Sequence, residues 1–578
     1  MDHVRQGVDD LDAQLRAARP RALVPAAAGT THSRARWLGA AVAATGVLTL
    51  VSTLGRPWPA GLDLAELLFT VTGRQVAHGT AVLAGAALVV VGRGVAQRRR
   101  LALYMTVALL LIATGAHLVR GLDLPAAAVT AVLAALLLRW RRLFVVPLRP
   151  ARVLDLVPRV AVLLALDVVY GLAGLYTHLR VINAATFAEV SARLVGLPGP
   201  LTLHGPFAHW FPASLTGLGT LTFLVFLLAL LAPVAFGGPA GDDRAVARRM
   251  VAAAAADTLD PFVLRRDKHL VFSPDLRAVL GYRYVRGVGL ASGDPVGDVD
   301  AFPDAVREFV DRCDRHGWRP AIVGARQDRA QLFHALGLRT LYIGDEAVID
   351  VPAFTLAGRP MRNARQAVSR SRNAGLTTEV LRERDVPEDL RQDLLRVLSQ
   401  AREGQREFGF SMALGDLFSG DHPDSVVIVC RDREGKPVGF QRYLRCRDAT
   451  ALTVDIMRRL PDAPNGASER MIVDMLEWAY GEGISQLSLN FAAFRAILDP
   501  AAERNPAQAV TAWLIHRMDG RFGIQLDTLR VFNSKFRPRW VPRVLVYRTV
   551  SDLPAVGLAA LAAEGFLPLD RNRQQDDD

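Results

Sequence analysis

A carboxylate and a guanidinium stand three positions apart, Asp455 and Arg458, where an apolar alternation ends and the segment Arg459-Leu-Pro-Asp-Ala-Pro-Asn465-Gly466 begins. At the lip of a cleft such a carboxylate can orient or deprotonate a hydroxyl or bind an ammonium, and the cation can offset developing negative charge. A plain surface ion pair is the other reading of the spacing. Lys535 lies in a run, 530–550, that holds no acid and also carries Arg537, Arg539, Arg543 and Arg548. That pattern suits a phosphate, or simply a solvated basic strand. Arg359, Arg362, Arg365 and Arg372 recur at spacings of three, three and seven, largely one face of a helix that stops at Gly375. No acid interrupts 358–374, so this face either meets phosphates or is solvated.

These groups need a frame. From residue 258 the pattern predicts strands at 278–285 and 288–291, an amphipathic helix at 302–316, a buried strand at 321–324, a helix at 330–336 and a strand pair within 341–351. A helical stretch, 386–402, opens a second unit of similar order. Strands 425–431 and 438–445 flank a turn at 432–437, and a strand (451–457), a helix (468–482) and a strand (486–490) follow. The organisation is thus a first α/β unit at 258–385 and a second at 386–550, with a cleft between them. A C-terminal segment at 551–578 follows, with a polar tail.

The first 257 residues are of another kind. Mean hydropathy over all 578 residues is +0.20 although the net charge is +12 and the pI near 10.2. Residues 1–240 hold 21 Arg and no Lys against 10 acids, about +11, whereas 241–578 hold 48 basic against 47 acidic residues. The excess therefore sits with six apolar runs, at 37–54, 76–91, 101–119, 124–138, 160–176 and 215–236, most of them near the roughly 17–25 residues that cross a bilayer. These define a cytoplasmic segment at 1–36, a transmembrane domain of about six helices at 37–236 and a linker at 237–257. Arginines cluster after the second and fourth runs, which places both termini and the α/β region in the cytoplasm, at a bacterial inner membrane. His78 and His117 fall inside spans and read as helix-to-helix hydrogen-bonding groups. His178, His204 and His209 in the long loop 177–214 read as loop residues rather than metal ligands. Cys313, Cys430 and Cys446 lack the spacing of a zinc site or a disulfide framework.

Several separated motifs, taken in order, carry a resemblance: Asp267-Lys-His-Leu-Val-Phe-Ser, Gly289-Leu-Ala-Ser-Gly-Asp294-Pro, the stretch 453–466, Leu487-Ser-Leu-Asn490-Phe-Ala-Ala-Phe-Arg495 and Ser534-Lys535-Phe-Arg-Pro-Arg-Trp540. Over about 258–548 the chain resembles the bacterial phosphatidylglycerol lysyltransferases, the multiple peptide resistance factor family, in its actinobacterial-like form without a fused lysyl-tRNA synthetase. The resemblance implies two tandem GNAT-like acyltransferase folds. It also implies transfer of an aminoacyl group, usually lysyl, from aminoacyl-tRNA to the glycerol hydroxyl of phosphatidylglycerol, which lowers the attraction of the membrane for cationic peptides. An aminoacyl ester is already activated, so no cofactor or metal is needed.

By the same resemblance Asp455, Arg458 and Lys535 are the catalytic positions, and Asn465, Asn490, Glu407, Ser411 and Arg543 serve substrate binding. The basic face Arg359, Arg362, Arg365 and Arg372 is the candidate contact for tRNA or lipid phosphate. Asp294 lies in a family signature that is also a simple turn, and Trp540 suits core packing or stacking on an adenine. Pro461 and Pro464 remove amide donors where an acetyl-CoA-dependent GNAT places its phosphate loop, which argues against acetyl-CoA. Two other readings stay open: a lipid flippase with an inactive soluble half, and an aminoacyltransferase acting on a different acceptor.

Overall fold

A computed structural model of the chain describes residues 28–54, 71–121, 123–144, 146, 150–231, 241–254, 257–402, 409–446, 450–491 and 530–565. It divides into two compact units, an N-terminal helical unit and a C-terminal α/β unit.

The N-terminal unit contains α1 (Ala28–Leu54), α2 (Val71–Ala96), α3 (Arg100–Gly121), α4 (Leu124–Arg139), α5 (Pro150–Leu179), α6 (Ala184–Leu194) and α7 (Phe207–Leu230). Each of the six apolar runs falls on one of these helices, though the last run extends beyond the described residues. Among the described residues three segments are long and apolar enough to cross a membrane: Arg100–Val119, Leu156–Leu179 and Phe207–Leu230. Val82–Ala96 and Leu124–Arg139 are shorter apolar helical stretches. The loop 177–214 is partly helical: Asn183 and Thr186 form a reciprocal capping box that starts α6. Inside α6 the buried Glu189 binds Arg193 at 2.9 Å and accepts the Leu201 amide at 2.8 Å.

The C-terminal unit begins with α8 (Gly241–Ala254) and is organised on one sheet. Its strands are β1 (His269–Phe272), β2 (Ala278–Val285), β3 (Val288–Ser292), β4 (Val296–Gly297), β5 (Arg319–Arg326), β6 (Arg339–Asp350), β7 (Thr377–Arg382), β8 (Val426–Arg431), β9 (Pro437–Cys446), β10 (Ala451–Arg459), β11 (Gln486–Phe491) and β12 (Arg539–Tyr547). They run in the order β1-β2-β3-β5-β12-β6-β11-β10-β9-β8-β7, with β4 on β2. The same plan occurs twice. Antiparallel neighbours lead to a parallel pair joined by a helix: β3 and β5 across α9 (Phe302–His316), then β10 and β11 across α13 (Ala467–Gly481). The other helices are α10 (Ala330–Ala335), α11 (Arg362–Asn373), α12 (Glu388–Arg402) and α14 (Leu553–Ala563).

Strand β7, inside the expected first unit 258–385, pairs with β8 of the second half, and two further placements differ from the sequence reading. The pair expected within 341–351 is one twelve-residue strand, β6. The glycine at 344 marks a register shift against β12 rather than a turn. Second, β12 comes from the end of the chain yet lies between β5 and β6 of the first half. A strand's apolar alternation announces that it will be buried but not which partners it will find. Beside it, the buried Leu553, Val556, Ala559 and Ala560 of α14 join the core formed with Val288, Leu290 and Leu545.

The first half therefore depends on the last strand. A chain stopped after Arg537 is expected to lose protection across β5 and β6 in hydrogen exchange; protection equal to that of the full chain would contradict the strand order.

Candidate active site

The second half sets up its site through a break in strand pairing. Strands β10 and β11 run in parallel register only from Ala451 to Thr453, opposite Gln486 to Ser488. Beyond that point β10 carries a register shift between Val454 and Ile456, so Asp455 is an extra residue against β9. A bulge re-aims its side chain. The Asp455 side chain is fully buried, with Oδ2 2.8 Å from Arg442 Nη1 of β9 and Oδ1 accepting the Leu414 amide at 2.7 Å. Burial raises the Asp455 carboxyl above its ordinary range, against the lowering influence of Arg442 and the Leu414 amide.

Asn490 fills the gap where the strands part. It has a left-handed backbone, φ 64°, a conformation asparagine tolerates better than most residues. Its side-chain amide donates to Val454 O on β10 and, at 3.2 Å, to Met412 O. Ser411, in the same loop, is buried, and its amide lies 3.2 Å from Glu564 Oε1. Asp455, Asn490 and Ser411 therefore meet around the loop 409–414. A basic side chain from the first half reaches the same loop: Arg265 Nη1 donates to Gly409 O and Ala413 O, at 3.1 and 2.7 Å. Beside it the buried Lys268 of the Asp-Lys-His motif donates to Phe262 O at 2.7 Å, and its Nζ sits 4.6 Å from the centre of the Phe410 ring. Burial pulls the Lys268 ammonium down to about 7.

Other expected site residues lie apart from this cluster. The cation bonded to Asp455 is Arg442; Arg458 Nη1 donates to Met457 O instead. Lys535 Nζ lies 2.7 Å from Glu469 Oε1, in the first turn of α13, and 5.0 Å from the Phe532 ring centre. Asn465 is exposed just before α13. The next residue, Gly466, has φ 98°, and a Cβ there would come within 2.3 Å of Ala367 O of α11, so the glycine lets α11 and α13 meet. Trp540 is partly buried against the core of the second half, with Arg530 5.4 Å from its ring centre.

Helix α11 is buried through Ala364, Ala367, Val368 and Ser371, which turns Arg362, Arg365 and Arg372 outward, with Arg359 exposed in the preceding turn and Arg370 in the last. Arg365 Nη1 donates to Gly358 O at 3.0 Å; Arg359, Arg362 and Arg372 have no acidic partner among the described residues. Glu407 lies outside the described residues.

Arg543 departs most from its expected place. It is completely buried, with Nη1 2.6 Å and Nη2 2.8 Å from the two Asp257 oxygens and Nε 3.1 Å from Glu346 Oε2. Glu346 Oε1 in turn accepts the hydroxyls of Thr258 and Ser488, and Ser488 Oγ accepts the Asn490 amide at 3.0 Å. Arg543 is thus linked to Asn490 and the loop 409–414 through this chain of bonds. Asp294 is buried nearby and accepts the Arg326 amide at 3.4 Å; burial, reinforced by Asp257, pushes its carboxyl up to about 7.

Sequence reasoning missed Arg442, Glu383 and Glu346. The available signal was a charge at an inward position of an otherwise apolar strand, as in Val438-Gly-Phe-Gln-Arg442-Tyr-Leu. Among the described residues no group of three His, Cys, Asp or Glu side chains is arranged to hold a metal ion.

Two α/β halves of like order on one sheet, with a carboxylate at the bulge where the parallel pair separates, define a tandem GNAT-like fold. The L-PGS structure from Bacillus licheniformis shares the fold, with a TM-score of 0.50 at 21% identity over 58% of this chain and 99% of that one. Residues 248–547 match the family described as "Phosphatidylglycerol lysyltransferase, C-terminal", and the chain belongs to that family of aminoacyltransferases. It is similar to the "Lysylphosphatidylglycerol biosynthesis bifunctional protein LysX" of Mycobacterium avium (strain 104), 38% identical over 318 residues, 55% of this chain and 27% of that protein. The protein of the same name from Mycolicibacterium gilvum is 39% identical over 323 residues, 55% of this chain and 29% of its own length. The chain thus spans about a quarter of the length of these curated relatives.

Replacing Arg543 by Met would leave Asp257 and Glu346 buried without their cation, at a cost of about 3–5 kcal/mol. Denaturant unfolding of the purified chain should show that loss; unchanged stability would place Arg543 outside the core.

Proposed function

We propose that the chain transfers a lysyl group from lysyl-tRNA to phosphatidylglycerol. The observation that carries the mechanism is the burial of Asp455 at the strand split, against the loop 409–414. The lipid glycerol hydroxyl attacks the ester carbonyl; a new ester C–O bond forms, the bond to the tRNA ribose oxygen breaks, and the hydroxyl proton passes to that oxygen. A carboxylate has about four acceptor positions, and Leu414 and Arg442 occupy two, so Asp455 retains capacity to orient the hydroxyl. Since its side chain is buried, the loop 409–414 has to give way before the hydroxyl arrives.

The remaining assignments follow as parts of the same reading. Arg458 and Lys535 lie along the rim of β10 and near the first turn of α13, where they offset charge on the tetrahedral intermediate or on a phosphate. Asn490 and Ser411 shape the acceptor pocket, Asn465 and Glu407 contribute to substrate binding, and Arg543 supports the site from the interior. The exposed arginines of α11 hold tRNA phosphates, the helical unit keeps the chain at the membrane with its α/β region in the cytoplasm, and the product reduces attraction for cationic peptides.

Two outcomes follow. Expression in a host without aminoacyl lipids should yield lysyl-phosphatidylglycerol by lipid mass spectrometry, and Asp455→Asn should cut it at least about 100-fold, the scale of a lost acid–base contribution; no new aminoacyl lipid from the wild type contradicts the reading. Replacing Arg362, Arg370 and Arg372 by Ala should raise KM for lysyl-tRNA and flatten its salt dependence by about one log-log unit per lost phosphate contact, with kcat preserved. An unchanged salt slope would remove α11 from the tRNA path.

A further inference from the structure

We propose that Arg442 is the positioning residue of the acyl-transfer site, fixing both the Asp455 carboxylate and the loop 409–418 that lies against it. The proposal rests on the reading of Asp455 given above.

One guanidinium here serves three carboxylates. Arg442 is completely buried; its Nε donates to Glu383 Oε2 at 2.6 Å, and its Nη1 lies 2.8 Å from Asp455 Oδ2 and 3.4 Å from Asp416 Oδ1. Each of these acids sits at one point of the loop. Asp455 takes the Leu414 amide, Asp416 is itself a loop residue, and Glu383 accepts the Phe418 amide at 2.8 Å. Phe418 has φ 61°, a strained backbone that the Glu383 contact holds in place. The loop is therefore pinned at 414, 416 and 418, and all three pins converge on Arg442. Ser411 and Met412, the latter bonded to Asn490, belong to the same loop.

The bulge makes the arrangement specific. Ile456 is the register partner of Arg442, and Asp455 is the extra residue beside it, so β9 offers Asp455 one cation. A planar fork can serve Glu383 from Nε while serving Asp455 and Asp416 from Nη1; the point charge of a lysine cannot span both sides. The remaining nitrogen, Nη2, is buried and has no hydrogen-bond partner among the described residues.

The groups that set the charge of Asp455 are Arg442 from β9, Asp416 and the Leu414 amide from the loop, and Glu383 from the turn before α12. Asp416 is also 3.7 Å from His422 and from Arg266. Glu383 and Asp455 have Arg442 as their cation, while Asp416 also faces Arg266, and burial holds the Glu383 and Asp455 carboxyls above their ordinary values. Removing the cation pushes Asp455 further up. If the ionised carboxylate is the working form, the acid limb of the rate profile then moves to higher pH.

The experiment uses the full chain in detergent with phosphatidylglycerol and lysyl-tRNA, and follows kcat and KM against pH beside a melting curve. Because Arg442→Gln alone strands three acids, it is combined with Glu383→Gln, which removes one negative charge with the positive one. The folded double variant should show an acid limb at least one pH unit higher, kcat at least tenfold lower near pH 6.5 and KM for lysyl-tRNA within about twofold. Arg442→Lys keeps the charge and loses the fork, so it should return the limb toward wild type while kcat stays at least tenfold down. A folded double variant with the wild-type limb and kcat overturns the proposal, as does an Arg442→Lys chain of full kcat. Asp455→Asn run alongside separates the two levels: full activity there defeats the reading of Asp455, whereas an inactive Asp455→Asn with normal Arg442 variants defeats the role of Arg442 alone.

Discussion

Two arginines buried inside the sheet, Arg442 and Arg543, set the terms for the α/β unit. Each lies completely out of solvent and is matched by carboxylates from distant parts of the chain: Glu383, Asp416 and Asp455 for the first, Asp257 and Glu346 for the second. Leaving such a charge in the interior is tolerable only when every partner is in place. Residues about 290 positions apart in sequence are thereby committed to one geometry, since Arg543 and Asp257 are separated by 286. Apolar packing alone would accept many near-equivalent arrangements of these strands; a forked donor between specific acids accepts far fewer.

The two clusters are joined. Arg543 binds Glu346, Glu346 accepts Ser488, Ser488 accepts the Asn490 amide, and Asn490 bonds Val454 and Met412 beside Asp455. The line crosses from β12 and β6 of the first half to β11 and β10 of the second, following the strand pairing that makes one sheet of the two halves. Strand β12 is the keystone of this plan, because it comes from the far end of the chain and carries Arg543 between β5 and β6. The first half of the unit thus acts on the site without contributing a group at the bulge: it supplies Arg265 and Lys268 to hold the loop 409–414, and Arg543 to hold the strands.

Much of this was legible in the sequence. Helix 302–316 and strand 278–285 fall where the periodicity puts them, and the hairpin, crossover helix and strand of the second half follow their predicted order. Asp455, Asn490 and Ser411, which the resemblance singled out, lie together at the bulge and the loop beside it. The partner of Asp455 was not legible. Arg458 is near in sequence, whereas Arg442 comes from the neighbouring strand, and register is a property of two segments that neither displays alone. The same reason hid the place of β12 and that of Arg543, expected among the substrate-binding residues and found in the core. Of the expected face Arg359, Arg362, Arg365 and Arg372, the last three lie outward on α11, because helical spacing is local and needs no partner, while Arg359 falls in the turn before the helix.

A double-mutant cycle on kcat/KM for lysyl transfer, built from Asp455→Asn and Arg442→Lys, asks whether the two residues act as one unit. If Arg442 works by holding Asp455, the double variant should be no slower than Asp455→Asn alone, with a coupling of about 1.5 kcal/mol or more. Losses that simply add, each variant lowering the rate by the same factor whether or not the other is present, would show that the buried guanidinium and the carboxylate serve the reaction separately.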